Sequence, residues 1–405
     1  MTVSRVASDA QPAVKGGWES LRRELDALVG QGLYRQCHRA DGAAGPWITL
    51  DGRRYLNLAS NNYLGLTTHP RVVAAATEAL QRAGAGAGAS RLITGHFRIH
   101  EALEDALATF KQTAAALVFP TGYMANLGVV TALVGPGDLV IADRLSHASL
   151  IDACRLSHAR FRVHPHRDLD RLRALLRRRH RVRRTLVVTE GIFSMDGDIA
   201  PVPALWDLCR DHGAWLLVDD AHGTGVLGAS GRGTLEHFGL SPTEGLIQMG
   251  TLSKALASLG GFIAGSRTLI DYLRNKARSF IYTTALPPSA AAAALAAIRV
   301  VQEEPQWRLA LWARLALWAE GLRGLGLPLV ASETPIVPIL LGDTARTMAV
   351  AGALRTAGLY APGIRPPTVP EGSARIRTTV MATHPEEALR EALVKIAAIV
   401  HRGEL

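Results

Sequence analysis

Trp215-Leu216-Leu217-Val218-Asp219-Asp220-Ala221-His222-Gly223-Thr224-Gly225-Val226 is the stretch on which the fold turns. Its four leading apolar residues read as a strand buried on both faces, and the acidic pair ahead of the glycines marks where strand gives way to loop. Open α/β sheets hold their ligands at such strand ends. Asp219 and His222 are therefore the first candidate site residues. Downstream, Leu246 to Met249 is a second strand-like run, and Gly250-Thr251-Leu252-Ser253-Lys254 follows it.

A carboxylate at one strand end and a lysine at another suggest a cofactor between them. Pyridoxal phosphate (PLP) needs a lysine for the Schiff base, an acid to keep the pyridine nitrogen protonated, and donors for the phosphate. The chain offers few lysines: Lys15, Lys111, Lys254, Lys276 and Lys395. Gly223-Thr224-Gly225-Val226-Leu227-Gly228 also spells G-x-G-x-x-G after a strand, but Ala229 to Gly233 continues as loop where a dinucleotide site needs a helix to begin.

Outward from this centre, strands and helices alternate: strand 115–119, helix 123–133, strand 139–142, helix 148–156, strand 161–164, helix 169–179, strand 186–189, helix 203–212 and strand 215–218. With strands at 246–249 and 262–264, and a helix over 267–278, this predicts an α/β fold with a mostly parallel, seven-stranded sheet covered on both faces. The expected organisation is an N-terminal arm and helix over 1–55, a large domain over 56–288 and a smaller α/β domain over 289–405. In the first unit, 1–17 reads as a loose arm. Trp18, Leu21, Leu25 and Leu28 have helical spacing, and Asp51-Gly52 signals a hairpin. In the last, strand 336–341, helix 344–357 and strand 375–379 lead to a closing helix with Thr383 as its cap and Pro385 in its first turn.

Composition sets limits. The chain has 405 residues, 48% hydrophobic and 20% charged, as a globular protein does. No charged segment followed by an apolar region opens it, and its longest apolar tract, 289–297, stops at Arg299, so a cytoplasmic location without membrane association is expected. Cys37, Cys154 and Cys209 suit neither a disulfide framework nor a zinc site. His96 and His100 have a metal-ligand spacing but no third ligand or H-E-x-x-H pattern, so no metal is expected. The net charge of +10 is dense over Arg155 to Arg184. Arg171, Arg173, Arg177, Arg178, Arg179 and Arg181 spread around a helix without interleaved aromatics, which suits a solvated face or attraction to an anionic substrate carrier better than nucleic acid.

Two further sites follow from local pattern. Thr121-Gly122-Tyr123 joins a strand to a helix N-terminus, a ready anion site. In Arg375-Ile376-Arg377, alternation puts both guanidinium groups on one strand face, where arginine suits a carboxylate.

D-D-A-H-G-T-G (219–225), T-E-G-I-F-S-M-D-G-D (189–198), D-R-L-S-H-A-S (143–149) and G-T-L-S-K (250–254) together resemble the α-oxoamine synthases, PLP enzymes of fold type I. The resemblance runs from about Leu56 to the C-terminus. It implies that Lys254 carries PLP, that Asp219 pairs with the pyridine nitrogen while Asp220 is structural, and that His147 stacks on the ring. His222 would bind the phenolic oxygen with Ser194 nearby. Gly122, Tyr123 and Thr251 would hold the phosphate with Thr283 or Thr284 of a second subunit, which makes a homodimer with shared active sites. Asn61 and Arg377, rather than Arg375, would meet the amino acid, and Arg365 the acyl substrate. The expected reaction condenses an amino acid with an acyl-CoA or acyl-carrier protein, with loss of CO2. Ile364 to Pro370 narrows the pair to L-alanine and a pimeloyl thioester. Glycine or serine with another acyl donor is the alternative; an aminotransferase, a decarboxylase or a non-catalytic subunit fits the motifs less well.

Overall fold

A computed structural model of the chain describes residues 17–178 and 182–402. The expected arm up to Gly16, and Arg179 and Arg181, lie outside the described residues.

The helix α1 (Glu19–Gly30) buries none of its residues. Strands β1 (Ala40–Asp41), β2 (Trp47–Leu50) and β3 (Arg53–Asn57) follow. Asp51 and Gly52 both have positive φ, 50° and 81°, as the tight turn between β2 and β3 demands. A helix α2 (Pro70–Ala83) and a helix α3 (Arg98–Phe110) precede the large sheet. The sequence reading does not anticipate α3, which begins at Arg98 and carries His100 but not His96.

From Ala115 the chain alternates β4 (Ala115–Phe119), α4 (Gly122–Leu133), β5 (Leu139–Asp143), α5 (Ala148–Leu156), β6 (Arg160–His164), α6 (Leu169–Arg177), β7 (Thr185–Glu190), α7 (Val202–Asp211), β8 (Trp215–Asp219), the short α8 (Thr234–His237), β9 (Leu246–Thr251) and β10 (Gly261–Gly265). These strands form one seven-stranded sheet in the order β4-β10-β9-β8-β7-β5-β6. Neighbours among β5 to β9 run parallel, and β10 runs antiparallel to both β4 and β9. β4, β5, β7, β9 and β10 are buried at every position. Such strands can be unbroken apolar runs because helices cover both sheet faces.

Beyond the sheet, the expected helix over 267–278 breaks at Ala277, whose ψ of 104° is extended, into α9 (Arg267–Lys276) and α10 (Arg278–Ile281). The chain continues through α11 (Pro288–Glu303) and α12 (Gln306–Gly324) to β11 (Ile336–Gly342), α13 (Thr344–Thr356), β12 (Leu359–Tyr360), β13 (Gly363–Ile364), β14 (Ala374–Thr379) and α14 (Glu386–Arg402). β14 lies between β11 and β13. β12 pairs parallel with β3, which ties the N-terminal hairpin to the last part of the chain. The proposed cap Thr383 is not used: α14 starts at Glu386 and Thr383 Oγ1 is buried without a hydrogen-bond partner.

One core cluster joins the helices α2, α3, α11 and α12 to the C-terminal strands around Trp318, Tyr63 and Phe110. Two more fill the opposite faces of the large sheet. No helix among the described residues is long and apolar enough to cross a membrane. The same residues hold no cluster able to bind a metal. His100 instead lies 2.7 Å from the Leu286 carbonyl, and burial pushes its pKa down to about 4.

Candidate active site

Parallel strands all point their carboxyl ends one way, so Asp143, Glu190, Asp219 and Thr251, the last residues of β5, β7, β8 and β9, gather along one edge of the sheet. Glu190 and Asp219 are direct neighbours in the strand register.

Asp219 is buried. Its Oδ2 accepts a 2.7 Å hydrogen bond from Asn126 Nδ2, and Oδ1 accepts from the Ala221 N–H at 3.0 Å. Asn126 also donates to Ser149 Oγ at 2.9 Å. The carboxylate is thus fixed in direction by α4 and by its own loop. Asp220 faces away from it into a closed network: Lys111 Nζ donates to its Oδ2 at 2.8 Å, and Thr234 N–H to its Oδ1 at 3.1 Å. The structural role expected of Asp220 is what these bonds give it.

Lys254 lies half-buried in the loop after β9. No hydrogen bond reaches its Nζ among the described residues. Desolvation by its surroundings lowers its pKa, and Arg377 adds to this, while Asp219 and Glu190 oppose it. A lysine left unbonded and biased toward the free amine is suited to nucleophilic attack on a carbonyl.

The two histidines are both held in place. His147 caps α5 with its ring, Nδ1 lying 2.8 Å from Ser149 Oγ and 3.2 Å from the Ser149 nitrogen. His222 Nδ1 is 2.6 Å from the Tyr63 hydroxyl. Burial holds His222 well below the usual imidazole range, with Lys254, Arg377 and His147 adding repulsion. Burial also pushes Tyr63 up to about 12. In either tautomer the Tyr63 hydroxyl occupies Nδ1, which leaves Nε2 as the ring nitrogen open to a ligand.

Arg375 and Arg377 are both buried rather than turned to solvent. Arg375 Nη1 is neutralised by Asp196 Oδ1 at 2.6 Å. Arg377 donates only to neutral oxygens, from Nε to the Ser194 carbonyl at 2.7 Å and from Nη2 to Asn61 Oδ1 at 3.2 Å. Among the described residues no carboxylate pairs with it. A buried guanidinium without a counter-ion is an anion site in waiting.

Thr121 caps α4 by accepting from the Met124 N–H at 3.1 Å, and Gly122 opens the helix. A Cβ on Gly122 would come 3.1 Å from Met249 Cε and 3.4 Å from Thr251 Oγ1. Glycine therefore lets the helix N-terminus approach β9, where Thr251 and Ser253 hydroxyls lie 2.7 Å apart. Free helix N–H groups and two hydroxyls make a cradle for a phosphate.

Not every expected residue joins this group. The Tyr123 side chain turns outward to Asp152 at 2.7 Å, leaving only its main chain for a ligand. Thr284 is exposed and Thr283 half-buried in the loop after α10. Arg365 donates to the Gly32 carbonyl at 2.7 Å and lines an outer groove of about 720 Å³ with Tyr34, Arg35, His38 and Arg355. Sequence reasoning also passed over residues that the site uses. Tyr63 stands two positions from the selected Asn61 and approaches its Oδ1 at 3.3 Å. Asn126, a buried amide among mostly apolar residues of α4, was a usable signal. Glu190 is fully buried, and its pKa is pushed up to about 8, first by burial and then by Asp219. The Ser194 N–H donates to its Oε2 at 3.2 Å, while Oε1 makes no hydrogen bond of normal geometry.

An unbonded lysine, a fixed carboxylate on the neighbouring strand, two ordered imidazoles and a phosphate cradle fit PLP on the structure's own terms. Similarity points the same way. Residues 53–396 match the family described as aminotransferase class I and II. The chain is 50% identical over 383 residues to an 8-amino-7-oxononanoate synthase of Geobacter metallireducens, covering 94% of this chain and 98% of that protein. It is 46% identical to 8-amino-7-oxononanoate synthase 1 of Bacillus velezensis, covering 96% and 99%. Among solved structures, a PLP–myriocin-bound serine palmitoyltransferase variant from S. paucimobilis superimposes with a TM-score of 0.90 at 33% identity, covering 96% of this chain and 98% of that one. The 8-amino-7-oxononanoate synthase of Francisella tularensis does so at 0.75 and 27%, covering 87% and 99%.

Proposed function

The chain belongs to the class I and II aminotransferase family, in its α-oxoamine synthase branch, and from that premise we propose that it joins L-alanine to a pimeloyl thioester, releasing CO2 and the free thiol and forming 8-amino-7-oxononanoate. It is a PLP-dependent C-acyltransferase whose named relatives place it in biotin biosynthesis. The observation that carries the reading beyond the family is Arg377, a buried cation with no carboxylate of its own, on the same side of the fold as the unbonded Lys254.

PLP, when bound, supplies a carbonyl carbon for amines and an electron sink for negative charge at the amino acid's α-carbon. The residues divide the remaining work. Lys254 Nζ would hold the cofactor covalently, and its lowered pKa suits it to accept the amino acid's α-proton as a base rather than remain a spectator cation. Asp219, steadied by Asn126 and the Ala221 N–H, would hold a proton at the pyridine nitrogen. His222, its Nδ1 taken up by Tyr63, would offer Nε2 to the cofactor's phenolic oxygen, with Ser194 in the adjoining loop. His147, its ring fixed by Ser149, would supply a face for the cofactor ring. The α4 N-terminus with Gly122, the Tyr123 main chain and Thr251 binds the phosphate. Arg377, oriented by Asn61 and the Ser194 carbonyl, binds the amino acid carboxylate that later leaves as CO2.

The acyl donor, a CoA or carrier-protein thioester, is assigned to the groove side of the small domain, where Arg365, Arg35 and Arg355 form a basic lining. Thr283 and Thr284 complete the phosphate site of a second copy, so the working unit is a homodimer. Their outward position supports this, as does the exposed Tyr282 beside them, at 71%. Coexpressing a Lys254→Ala subunit with a Thr283→Ala/Thr284→Ala subunit tests it: shared sites restore activity in the mixed dimer, and self-contained sites do not. A cytoplasmic location belongs to the same proposal, consistent with three free cysteines, two of them buried.

The deciding experiment is product mass and thiol release when the PLP-loaded protein meets L-alanine and a pimeloyl thioester. The mass of 8-amino-7-oxononanoate with equal thiol supports the proposal. Turnover only with glycine or serine, or another acyl donor, would move the chain elsewhere in the same branch.

Arg377→Ala should raise the KM for L-alanine about 10- to 100-fold, the range of one lost charge-assisted hydrogen-bonded contact. Arg375→Ala should instead lower stability, because it takes away the buried guanidinium's ion pair with the half-buried Asp196. The two variants reversing these effects would exchange their roles.

A further inference from the structure

Behind the site, the turns that follow β5, β6 and β7 meet at one imidazole. His166 Nδ1 lies 3.0 Å from Asp143 Oδ1, and Nε2 lies 3.0 Å from Asp198 Oδ2. Neither carboxylate can donate when ionised, so each ring nitrogen must carry a hydrogen and the ring must be the imidazolium. Burial works against that charge, but the two carboxylates outweigh it and raise the pKa of His166 to about 9. Among the described residues, the other cation in the cluster is Arg167, whose Nη1 shares Asp198 Oδ2 at 3.1 Å and whose N–H donates to Asp143 Oδ2 at 2.8 Å.

Each partner of His166 governs one loop of the site. Asp143 shapes the turn toward His147: its Oδ1 accepts from the Leu145 N–H at 2.8 Å and its carbonyl from the Ser146 N–H at 3.1 Å. Asp198 closes the loop that carries Ser194, its carbonyl accepting from the Phe193 N–H at 3.0 Å. The His166 ring also meets Phe193 edge-on, with centroids 4.4 Å apart at 90°. Phe193 precedes Ser194, whose carbonyl orients Arg377 and whose N–H meets Glu190. The imidazolium therefore stands between the loop of His147 and the loop that aims Arg377. Its ring nitrogens bond to Asp143 and Asp198 and to none of Lys254, Asp219, His147, His222 or Arg377.

We propose that His166 is a positioning residue for this reaction: as a cation clamped between Asp143 and Asp198, it fixes the spacing of the His147 and Ser194 loops, and so sets PLP affinity and the approach of the amino acid carboxylate to Arg377. The proposal rests on the site reading given above. The clamp has a pH sense of its own. An imidazolium whose folded pKa is raised gives its full stabilisation below its unfolded value of about 6.5 and loses it as pH rises through about 9.

The test uses the PLP-loaded enzyme, its His166→Gln variant and an Asp198→Asn variant. Glutamine can donate to one carboxylate but turns its carbonyl oxygen on the other, so the loops separate. His166→Gln should weaken PLP binding and raise the KM for L-alanine about 10- to 100-fold, the scale of a small misplacement near reacting groups. The KM for the thioester should stay at the wild-type value. In wild type, the imidazole nitrogens observed by NMR should both carry protons at pH 7.5 and titrate near pH 9. Asp198→Asn, which keeps an acceptor oxygen for Nε2 but removes one charge, should lower that pKa and give an intermediate alanine KM; it also serves if His166→Gln does not fold.

Titration near pH 6.5, or variants that lose thermal stability while keeping wild-type PLP affinity and alanine KM, would overturn the positioning role. The site reading fails separately: if Lys254→Ala still turns over, the loops near His166 are not those of the active site, whatever His166 does.

Discussion

Replacing Lys254 with alanine removes turnover and the covalent attachment of PLP together, with rates falling by about a millionfold or more, into the range that separates enzyme from background. The expectation follows from arithmetic on the chain's own lysines. Of those described, Lys111 is locked in an ion pair, and Lys276 and Lys395 lie on surface helices. Only Lys254 combines an unbonded amine, a lowered pKa and a place beside Asp219. The measurement is borohydride reduction of the loaded protein followed by peptide mapping, alongside the activity assay. In wild type the label should sit on Lys254, and in Lys254→Ala no label should form. A reduced adduct on another lysine in the variant, with turnover retained, would remove Lys254 from the mechanism. The same pKa direction carries a pH sense. Because the folded-state pKa lies below the free-lysine value, the amine becomes available at a lower pH than an exposed lysine would allow, and the acid limb of activity should reflect this.

Lys111→Met is the second large effect, and it falls on stability. The Lys111 ammonium is fully enclosed, 2.8 Å from Asp220 Oδ2 and 3.3 Å from Thr224 Oγ1, and it also donates to the Arg232 carbonyl. Methionine fills much of the same volume but leaves the Asp220 carboxylate buried without a counter-ion. Breaking a buried pair from one side costs about 3–5 kcal/mol, well beyond the 0–1 kcal/mol typical of exposed pairs. Denaturant unfolding of the PLP-loaded protein measures it. A loss below about 1 kcal/mol would mean that water or Thr234 compensates for the missing cation. The backbone surroundings argue against such easy relief. A Cβ on Gly233 would lie 1.7 Å from Asp220 Oδ2 and one on Gly223 2.1 Å from Oδ1, so the loop is already moulded to this carboxylate. Since Asp220 adjoins Asp219, Lys111→Met should also weaken PLP binding.

The alternation of apolar runs with helical segments from Ala115 to Asp219 was enough to determine the parallel part of the sheet. A strand covered on both faces must be apolar throughout, and a crossover helix must lie between parallel neighbours. The motifs also placed Asp219, His222, His147 and Lys254 at strand ends, because the chain's own order puts loops there. By contrast, β10 gave no sign of running antiparallel to its neighbours, since an apolar strand looks the same in either direction. The break at Ala277 was hidden for a similar reason: no proline or glycine marks it, and only the packing of α10 on α4 requires it.

What tertiary structure alone decided is which charges are satisfied. Sequence alternation put Arg375 and Arg377 on one face, but only the approach of Asp196, remote in the chain, neutralises the first and leaves the second free. Arg365 shared a motif with the site, yet its guanidinium is turned to Gly32. Tyr63 became the partner of His222 across 159 positions, and Asp143, His166 and Asp198 came together from three turns that follow separate strands. Periodicity records which side of an element is buried, because burial acts on each residue through its own apolar surface. Partnership between polar groups depends on distances set by the whole fold, and a linear sequence carries no record of those.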